Sequence, residues 1–418
     1  MVEKMLKFKK ETEFKETEIG EIPKDWEVKK LGDIANIKTG KTNVQDAVPD
    51  GIYPLFDRSG QLKKSSKYLF DTEAVIVPGE GKDFLPNYYI GKFDLHQRTY
   101  AIFNFKQELM GKYLYFSMFL LRYYLKEWAV GSTVLSLRLP IFNQLLIPLP
   151  SPSEQSRIAT VLSWFDNLIE NKKRQNEILE KTAMAIFKSW FIDFEPFKNE
   201  EFVYNEELDR EIPKGWAIKT LGEIAKLNKG LSYRSDELVD DSTEGEIFIT
   251  LKIFKKGGGF RPQYKYYQGN RYSDEQQVYD GELVIALTDM TPDAKVVGAP
   301  ALVILPPGKD KGILSLDAAK VICQNICKEY IYLYLKYSQE ENSTFANGVN
   351  VLHLNLELFK TGKFIPLPPQ PILQKFHNLV EPLFQKIILN QKEIMVLRKI
   401  RDALLPQLVF GKSRVEAI

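Results

Sequence analysis

The chain states one pattern twice. IPKDWEVKKLGDIANIKTG, from Ile22 to Gly40, returns as IPKGWAIKTLGEIAKLNKG from Ile212 to Gly230, an offset of 190 residues. A second pair of echoes follows: GSTVLSL at Gly131 to Leu137 meets GVNVLHL at Gly348 to Leu354, and IPLP at 147–150 meets IPLP at 365–368. The offset drifts to 217 and then 218, so the copies keep matched ends and differ by insertions in their middles. Two diverged copies of one unit tend to pack about a pseudo-twofold axis and to bind something two-sided. Matched ends with divergent middles predict a common frame presenting two different readers.

Each copy is built in the same order. The tryptophan segment leads into LGDIA or LGEIA, apolar at helical spacing, with Gly40 and Gly230 as expected helix stops. Short apolar runs bounded by turn residues then predict strands at Ala74 to Gly79, Tyr100 to Phe105, Glu246 to Leu251 and Glu282 to Leu287. Aromatic helices are expected next, at Gly111 to Trp128 and from Cys327 onward, where Tyr113, Leu114 and Tyr115 match Tyr330, Ile331 and Tyr332 at the 217 offset. Each copy closes on a proline turn and a long amphipathic helix. Ile158, Val161, Leu162, Phe165, Leu168, Ile169, Leu179, Ile186 and Trp190 recur at three- and four-residue spacing, as do Phe376, Val380, Phe384, Ile387, Ile394 and Leu397. Matching apolar stripes predict that the two helices pack against each other as an antiparallel, coiled-coil-like pair. At about 36 residues each would span roughly 54 Å. Pro382 predicts a kink, or a helix that starts later than its stripe.

The resulting expectation is an α+β chain with two α/β domains in pseudo-twofold arrangement, separated by that helix pair. Its boundaries are a solvated lead-in at 1–21, a first domain at 22–150, a first spacer helix at 151–196 and an ordered connector at 197–211. A second domain at 212–368, a second spacer helix at 369–412 and a tail at 413–418 complete it.

Composition excludes several classes. Two cysteines among 418 residues rule out a disulfide scaffold and predict a reducing, cytoplasmic setting. The longest apolar stretch, Tyr113 to Val130, is cut by Arg122, Lys126 and Glu127, which predicts a buried helix and no membrane span. Net charge is only +2, so any face for a polyanion must be local. The most suggestive local segment runs from Leu251 to Tyr272, where lysines and arginines interleave with aromatics and three glycines.

The doubled order of IPxxW, LGxIA, strands, a YLYF-like helix, the glycine motif, IPLP and an EQ opening a long helix resembles the specificity subunit of Type I restriction-modification enzymes. The resemblance covers about 21–411, and it departs from the pattern where Glu154 and Gln155 become Ile372 and Leu373 in the second copy. It implies that the two domains are target-recognition domains, each reading half of a bipartite site on double-stranded DNA. It implies also that the helices act as a spacer docking two methyltransferase subunits, with restriction subunits completing the complex. S-adenosylmethionine, ATP and Mg are then expected on those partner subunits, and no cofactor, metal or catalytic residue on this chain.

Base-edge and phosphate contacts need polar and basic side chains on exposed loops. The candidates are Lys41, Thr42, Asn43, Arg58, Ser59, Lys63 and Lys64 in the first copy. In the second they are Tyr233, Arg234, Ser235, Lys255, Lys256, Arg261, Gln263 and Arg271. On the helices, Phe165, Ile169, Leu179, Ile387, Ile394 and Leu397 are the candidate partner-docking residues.

Two other readings fit parts of the same sequence. A two-unit protein-interaction scaffold has the same repeat, and an autonomous metal-dependent nuclease can be assembled from Pro49, Asp50, Glu80 and Lys82, although PGEGK has the composition of a tight turn. No methyltransferase Asn/Asp-Pro-Pro-aromatic motif and no GxGxxG loop occur. Cys323 and Cys327, four apart on an expected helix with no further ligand nearby in sequence, read as core thiols. His96, His353 and His377 are scattered.

Overall fold

The structure, a computed structural model, describes residues 6–417 apart from 61, 132–133, 240–243 and 292. Ser132 and Thr133 of the first glycine motif, the first five residues of the lead-in and Ile418 lie outside the described residues. Two compact units form, one of Met1–Leu168 with Leu397–Ile418 and one of Ile169–Val396.

The echoes mark where each copy's two ends zip together. In the first unit Glu27–Lys30 pairs antiparallel with Leu146–Leu149, and in the second Ala217–Thr220 pairs with Phe364–Leu367. Beside these ladders Trp26 and Trp216 are buried. Tyr113 donates its hydroxyl to the Pro148 carbonyl at 2.8 Å, and Tyr330 makes the matching bond to Pro366. A buried hydroxyl must find a partner. This one is supplied in both copies by the same IPLP segment.

The middles diverge. The first unit has one six-stranded sheet in the order Asn36–Thr39, Thr99–Phe103, Phe70–Pro78, Asn87–Leu95, Tyr53–Phe56, Lys63–Ser65. Its single parallel pair joins Asn87–Leu95 to Tyr53–Phe56. In the second unit the place of Asn87–Leu95 is shared by Pro300–Leu302 and Gly312–Leu314, which belong to separate sheets of four and five strands. Pro306, Pro307 and Gly308 fall between them. Prolines have no N–H to give a ladder, so the strand breaks there.

On the sheet lies the aromatic helix Gly111–Trp128, whose buried Tyr113, Leu114, Phe116, Met118, Leu121 and Leu125 share a core with Ile158, Val161 and Leu162. In the second unit Lys328–Tyr337 packs Tyr330, Ile331, Leu333 and Leu335 with Phe187, Phe191, Phe376 and Phe384. Each such side chain is worth about 1.5–3 kcal/mol when fully buried.

The long helices are Pro152–Phe191 and Gln370–Val409, 40 residues each. Within the second unit they run antiparallel: Lys172 is paired with Glu393, Asn390 Nδ2 donates to Asn176 Oδ1 at 3.0 Å, and Phe191 meets Phe376 with ring centroids 4.8 Å apart. The polar stretches 171–177 and 390–393 that interrupt the two apolar stripes thus pair with each other. Within the first unit Arg401 reaches Asp166 at 2.6 Å.

Of the two alternatives at Pro382 the later start is set aside, because the helix that contains it starts at Gln370, ahead of that proline. Three further expectations are corrected. The LGxIA helices end at Ile34 and Ile224 and pass directly into strands, so Gly40 and Gly230 are not helix stops. A Cβ on either would collide with a crossing backbone, the Leu95 carbonyl in one copy and Ser315 in the other.

The lead-in is not merely solvated. Leu6–Lys10 pairs with Ser413–Ala417, and Phe14–Lys15 with Ile22–Pro23. Arg414 binds Glu11, Asp25 and Glu154, and the Glu11 carboxyl is held at about 2 by the Glu13 and Thr12 amides and then by Arg414. The strand partner of Leu6–Lys10 and the Arg414 that holds Glu11 lie about 400 residues away in sequence, so composition alone showed only charge. Finally, Cys323 closes the strand Ala318–Cys323 and Cys327 caps the next helix, so the two do not share a helix. Burial pushes both thiols up to about 12.

Candidate nucleic-acid interface

In the first unit the sheet gathers a polar cluster at the turn between Asn87–Leu95 and Thr99–Phe103. Glu80 lies just past the end of Phe70–Pro78, where its backbone bridges to Ser136, and its carboxylate is 6% exposed. Arg98 from the turn and Arg58 from the loop after Tyr53–Phe56 both donate to it. Burial pushes the Glu80 carboxyl up, but Arg98 and Arg58 together overcome this and hold it below the usual carboxylate range. Each guanidinium remains about half exposed, 50% for Arg58 and 55% for Arg98. Their remaining N–H donors are therefore presented outward from a fixed carboxylate.

His96 completes the turn. Its Nδ1 accepts from the Arg98 amide at 3.1 Å, and burial, followed by the Arg58 charge, pulls its pKa below the ordinary imidazole value. Beside it Asp57 takes Lys63 Nζ at 2.6 Å and the Ser59 hydroxyl at 2.6 Å. Asn43 caps a short turn and accepts from Gln97 Nε2 at 2.6 Å.

Of the first-copy candidates, Arg58, Ser59 and Lys63 converge here, with Asn43 on the neighbouring Gln97. Lys41 and Lys64 are exposed. Thr42 is different: it is 1% exposed and gives its hydroxyl to the buried Asp94, as Ser65 does, so it braces the sheet and faces no ligand. Arg98, Gln97, His96 and Glu80 were not foreseen as a group. The signal available was the turn HQR between two strand-like runs, whose strands return to Glu80.

The second-copy candidates separate into two groups. Arg271 is paired with Glu237 at 2.5 Å, and Glu237 also accepts from the Arg234 amide. Ser235 is exposed in the same turn, and Tyr233 packs on Phe248 and reaches Asp317 at 3.4 Å. Lys255, Lys256, Arg261 and Gln263 are exposed on a different loop. There Lys255 lines a pocket with Glu177, Glu180 and Tyr332, and Lys256 is paired with Asp293 at 2.8 Å.

The backbone shows which positions correspond. Gly79 N–H donates to the Arg98 carbonyl and Leu137 N–H to Gly79, as Leu287 N–H donates to Asp317 and Leu354 N–H to Leu287. Glu80 and Arg98 of one copy thus stand where Thr288 and Asp317 stand in the other. Thr288 donates to Asp317 at 3.3 Å. The frame is common and the chemistry displayed on it is not.

On the long helices, Ile169 and Ile394 are buried, and Phe165 and Ile387 are half-buried against their own cores. Leu179 and Leu397 are likewise only partly exposed. Ile169 and Ile394 are thus packing residues. The exposed apolar side chains are instead Trp164, Leu168 and Ile400 in the first unit and Ile178, Leu379, Leu389 and Val396 in the second. No helix among the described residues is long and apolar enough to cross a membrane.

A family model described as the Type I restriction modification DNA specificity domain matches residues 23–181 and again 213–399. The chain is 38% identical over 449 aligned residues to the Type I restriction enzyme MjaIX specificity subunit of Methanocaldococcus jannaschii, covering 99% of each. It is 31% identical to the EcoDI specificity subunit of Escherichia coli over 51% of this chain and 53% of that one. Its fold resembles the crystal structure of the S subunit of a Type I restriction-modification system from M. genitalium, with a TM-score of 0.56, 19% identity, and 92% and 96% of the two chains covered.

Proposed function

The chain belongs to the family of Type I restriction-modification specificity subunits, and we propose that each of its two domains reads one half of an asymmetric bipartite site on duplex DNA. The observation that carries this reading is the pair of corresponding positions, Glu80 with Arg98 in one copy and Thr288 with Asp317 in the other, joined by Arg58 in the first and by Tyr233 from a different loop in the second. A frame repeated to the level of single hydrogen bonds, displaying a cationic cluster once and a neutral to acidic one the second time, suits two unrelated half-sites. Guanidiniums fixed by a buried carboxylate lose little freedom on binding, and arginine is the commonest reader of guanine in the major groove. Lys41 and Lys64, exposed near this cluster, supply phosphate contacts that set position and carry no sequence.

In the same reading the long helices set the spacing between half-sites and dock two methyltransferase subunits through their exposed apolar side chains, Trp164, Leu168 and Ile400 in the first unit and Ile178 and Leu389 in the second. Restriction subunits join that assembly. S-adenosylmethionine, ATP and Mg belong to those partners, and this chain contributes recognition without catalysis. The nuclease alternative loses its main residue, because Glu80 is engaged by two guanidiniums.

The test is methyl transfer by the chain assembled with its methyltransferase subunits and S-adenosylmethionine, on a duplex library. One two-part motif of fixed spacing is expected. Modification without sequence preference refutes the reading and favours a protein scaffold.

A further inference from the structure

The two copies differ at the joint where each long helix starts against the aromatic helix. In the first copy Gln155, fully buried, makes that joint: its Oε1 accepts from the Met110 amide at 2.8 Å, and its Nε2 donates to the carbonyls of Glu108 at 2.6 Å and Pro150 at 2.9 Å. In the second copy the glutamine is replaced by Leu373, which can make none of these bonds, and one of the three is supplied instead by Gln370, whose Nε2 donates to the Asn325 carbonyl at 2.6 Å.

A different donor set occupies the joint. Cys327 stands at the N-cap of Lys328–Tyr337, in the position of Met110. Glu329 takes the place of Lys112, and His377, on the second long helix, takes that of Ala159. One ligating atom from each lies within 4.8 Å of the other two, and His377 Nδ1 is 3.1 Å from Glu329 Oε2. Cys323 lines the same solvent-open cavity, with Gln370 and Gln374 on its far wall. The Glu329 carboxylate is 1% exposed. A buried carboxylate held by a single histidine is poorly compensated.

We infer that Cys327, Glu329 and His377 bind a zinc-type divalent cation that fastens the second long helix to its domain, as Gln155 fastens the first. The mixture of thiolate, imidazole and carboxylate suits a borderline-soft, tetrahedral ion such as Zn²⁺, and it is wrong for Mg²⁺ or Ca²⁺, which take oxygen. Bonds of about 2.0–2.3 Å place tetrahedral donors roughly 3.5 Å apart, so small side-chain rotations close the set. Binding exchanges the Cys327 thiol proton, released to solvent, for an S–metal bond. The fourth position falls to Cys323 or to water from the cavity. His377 lies 48 residues from Glu329 in sequence, which is why the cysteines read as plain core thiols. The inference stands apart from the DNA-reading proposal and survives if that fails.

The test uses the full chain freed of metal by chelator dialysis and titrated with Co²⁺ as a spectroscopic probe, then with Zn²⁺. One equivalent is expected, with a thiolate-to-cobalt charge-transfer band that Zn²⁺ displaces. Cys327→Ser, made together with Cys323→Ser, abolishes the band, and His377→Ala, at a partly exposed position, weakens binding at least tenfold while circular dichroism stays that of the wild type. Zn²⁺ raises the melting temperature of the wild type and of neither variant. A wild-type chain without the band, or a band of unchanged affinity in either variant, overturns the inference and leaves a plain Glu329–His377 hydrogen bond.

Discussion

Glu80 and Thr288 occupy the same point of the same frame, yet one is a buried carboxylate clamping two arginines and the other a hydroxyl facing an aspartate. The contrast separates what the duplication preserves from what it releases. Preserved are the terminal ladder, the buried tryptophan and the tyrosine on IPLP. Released are the strand-connecting turns, where a change of side chain costs the fold little. A recognition protein needs that division, since a new specificity must not require a new core.

The comparison can be broken first at the frame. Trp26→Ala and Trp216→Ala should each destabilise their own unit by about 3–5 kcal/mol, the cost of truncating a large buried aromatic. Calorimetry should show losses of similar size, and a mild effect in either copy would mean that the ends are not equally structural.

Next comes the cluster itself. Glu80→Ala frees both guanidiniums and should lower methylation at sites matching the first half by about 10- to 100-fold, the range set by 1–3 kcal/mol per well-placed arginine contact. Thr288→Ala removes one long hydrogen bond from a hydroxyl to the Asp317 carboxylate, at the weak end of the roughly 1.5–3 kcal/mol such bonds contribute, and should change modification by about tenfold or less. Equal effects would remove the distinction between the two readers.

The joint offers a smaller effect. Gln155→Leu copies the second unit's residue into the first and leaves one amide and two carbonyls without partners, a loss of about 1–3 kcal/mol in the stability of the first unit. If thermal melts show none, the glutamine is not the tether.

Acid gives the mildest difference. His96 and Glu80 both have folded pKa values below their ordinary ones. The sign is therefore the same for both: their contributions are present above the unfolded values and fade as pH falls. His96 acts from about 6.5 downward and Glu80 from about 4.5 downward. Thr288 does not titrate, so recognition of the first half-site should weaken before that of the second as pH is lowered from 7 to 5. A parallel decline would contradict this.

The frame was legible in the sequence because it is written twice: the strands at Ala74, Tyr100 and Leu283, the aromatic helices and the long helices follow from periodicity and repetition. Gly40 and Gly230 were misread because a close crossing of two backbones leaves the same glycine as a helix stop. The recognition cluster was half legible. Arg58 and Lys63 stand out as cations in a loop, whereas Arg98 and Glu80 acquire their meaning only when strand pairing brings them together across 18 residues. The helix stripe was legible as packing, and for that reason Ile169 and Ile394 are buried, leaving the exposed stripe to neighbours such as Trp164 and Leu168.

The central claim is that each domain reads its half-site independently, and one exchange tests it directly. Residues 22–150 are replaced by the corresponding domain of a relative with a different target, the chimera is assembled with the methyltransferase subunits, and the methylated adenines are mapped by sequencing. One half of the motif should change, while the other half and the spacing stay as they were. A change in both halves, or in neither, would contradict the account.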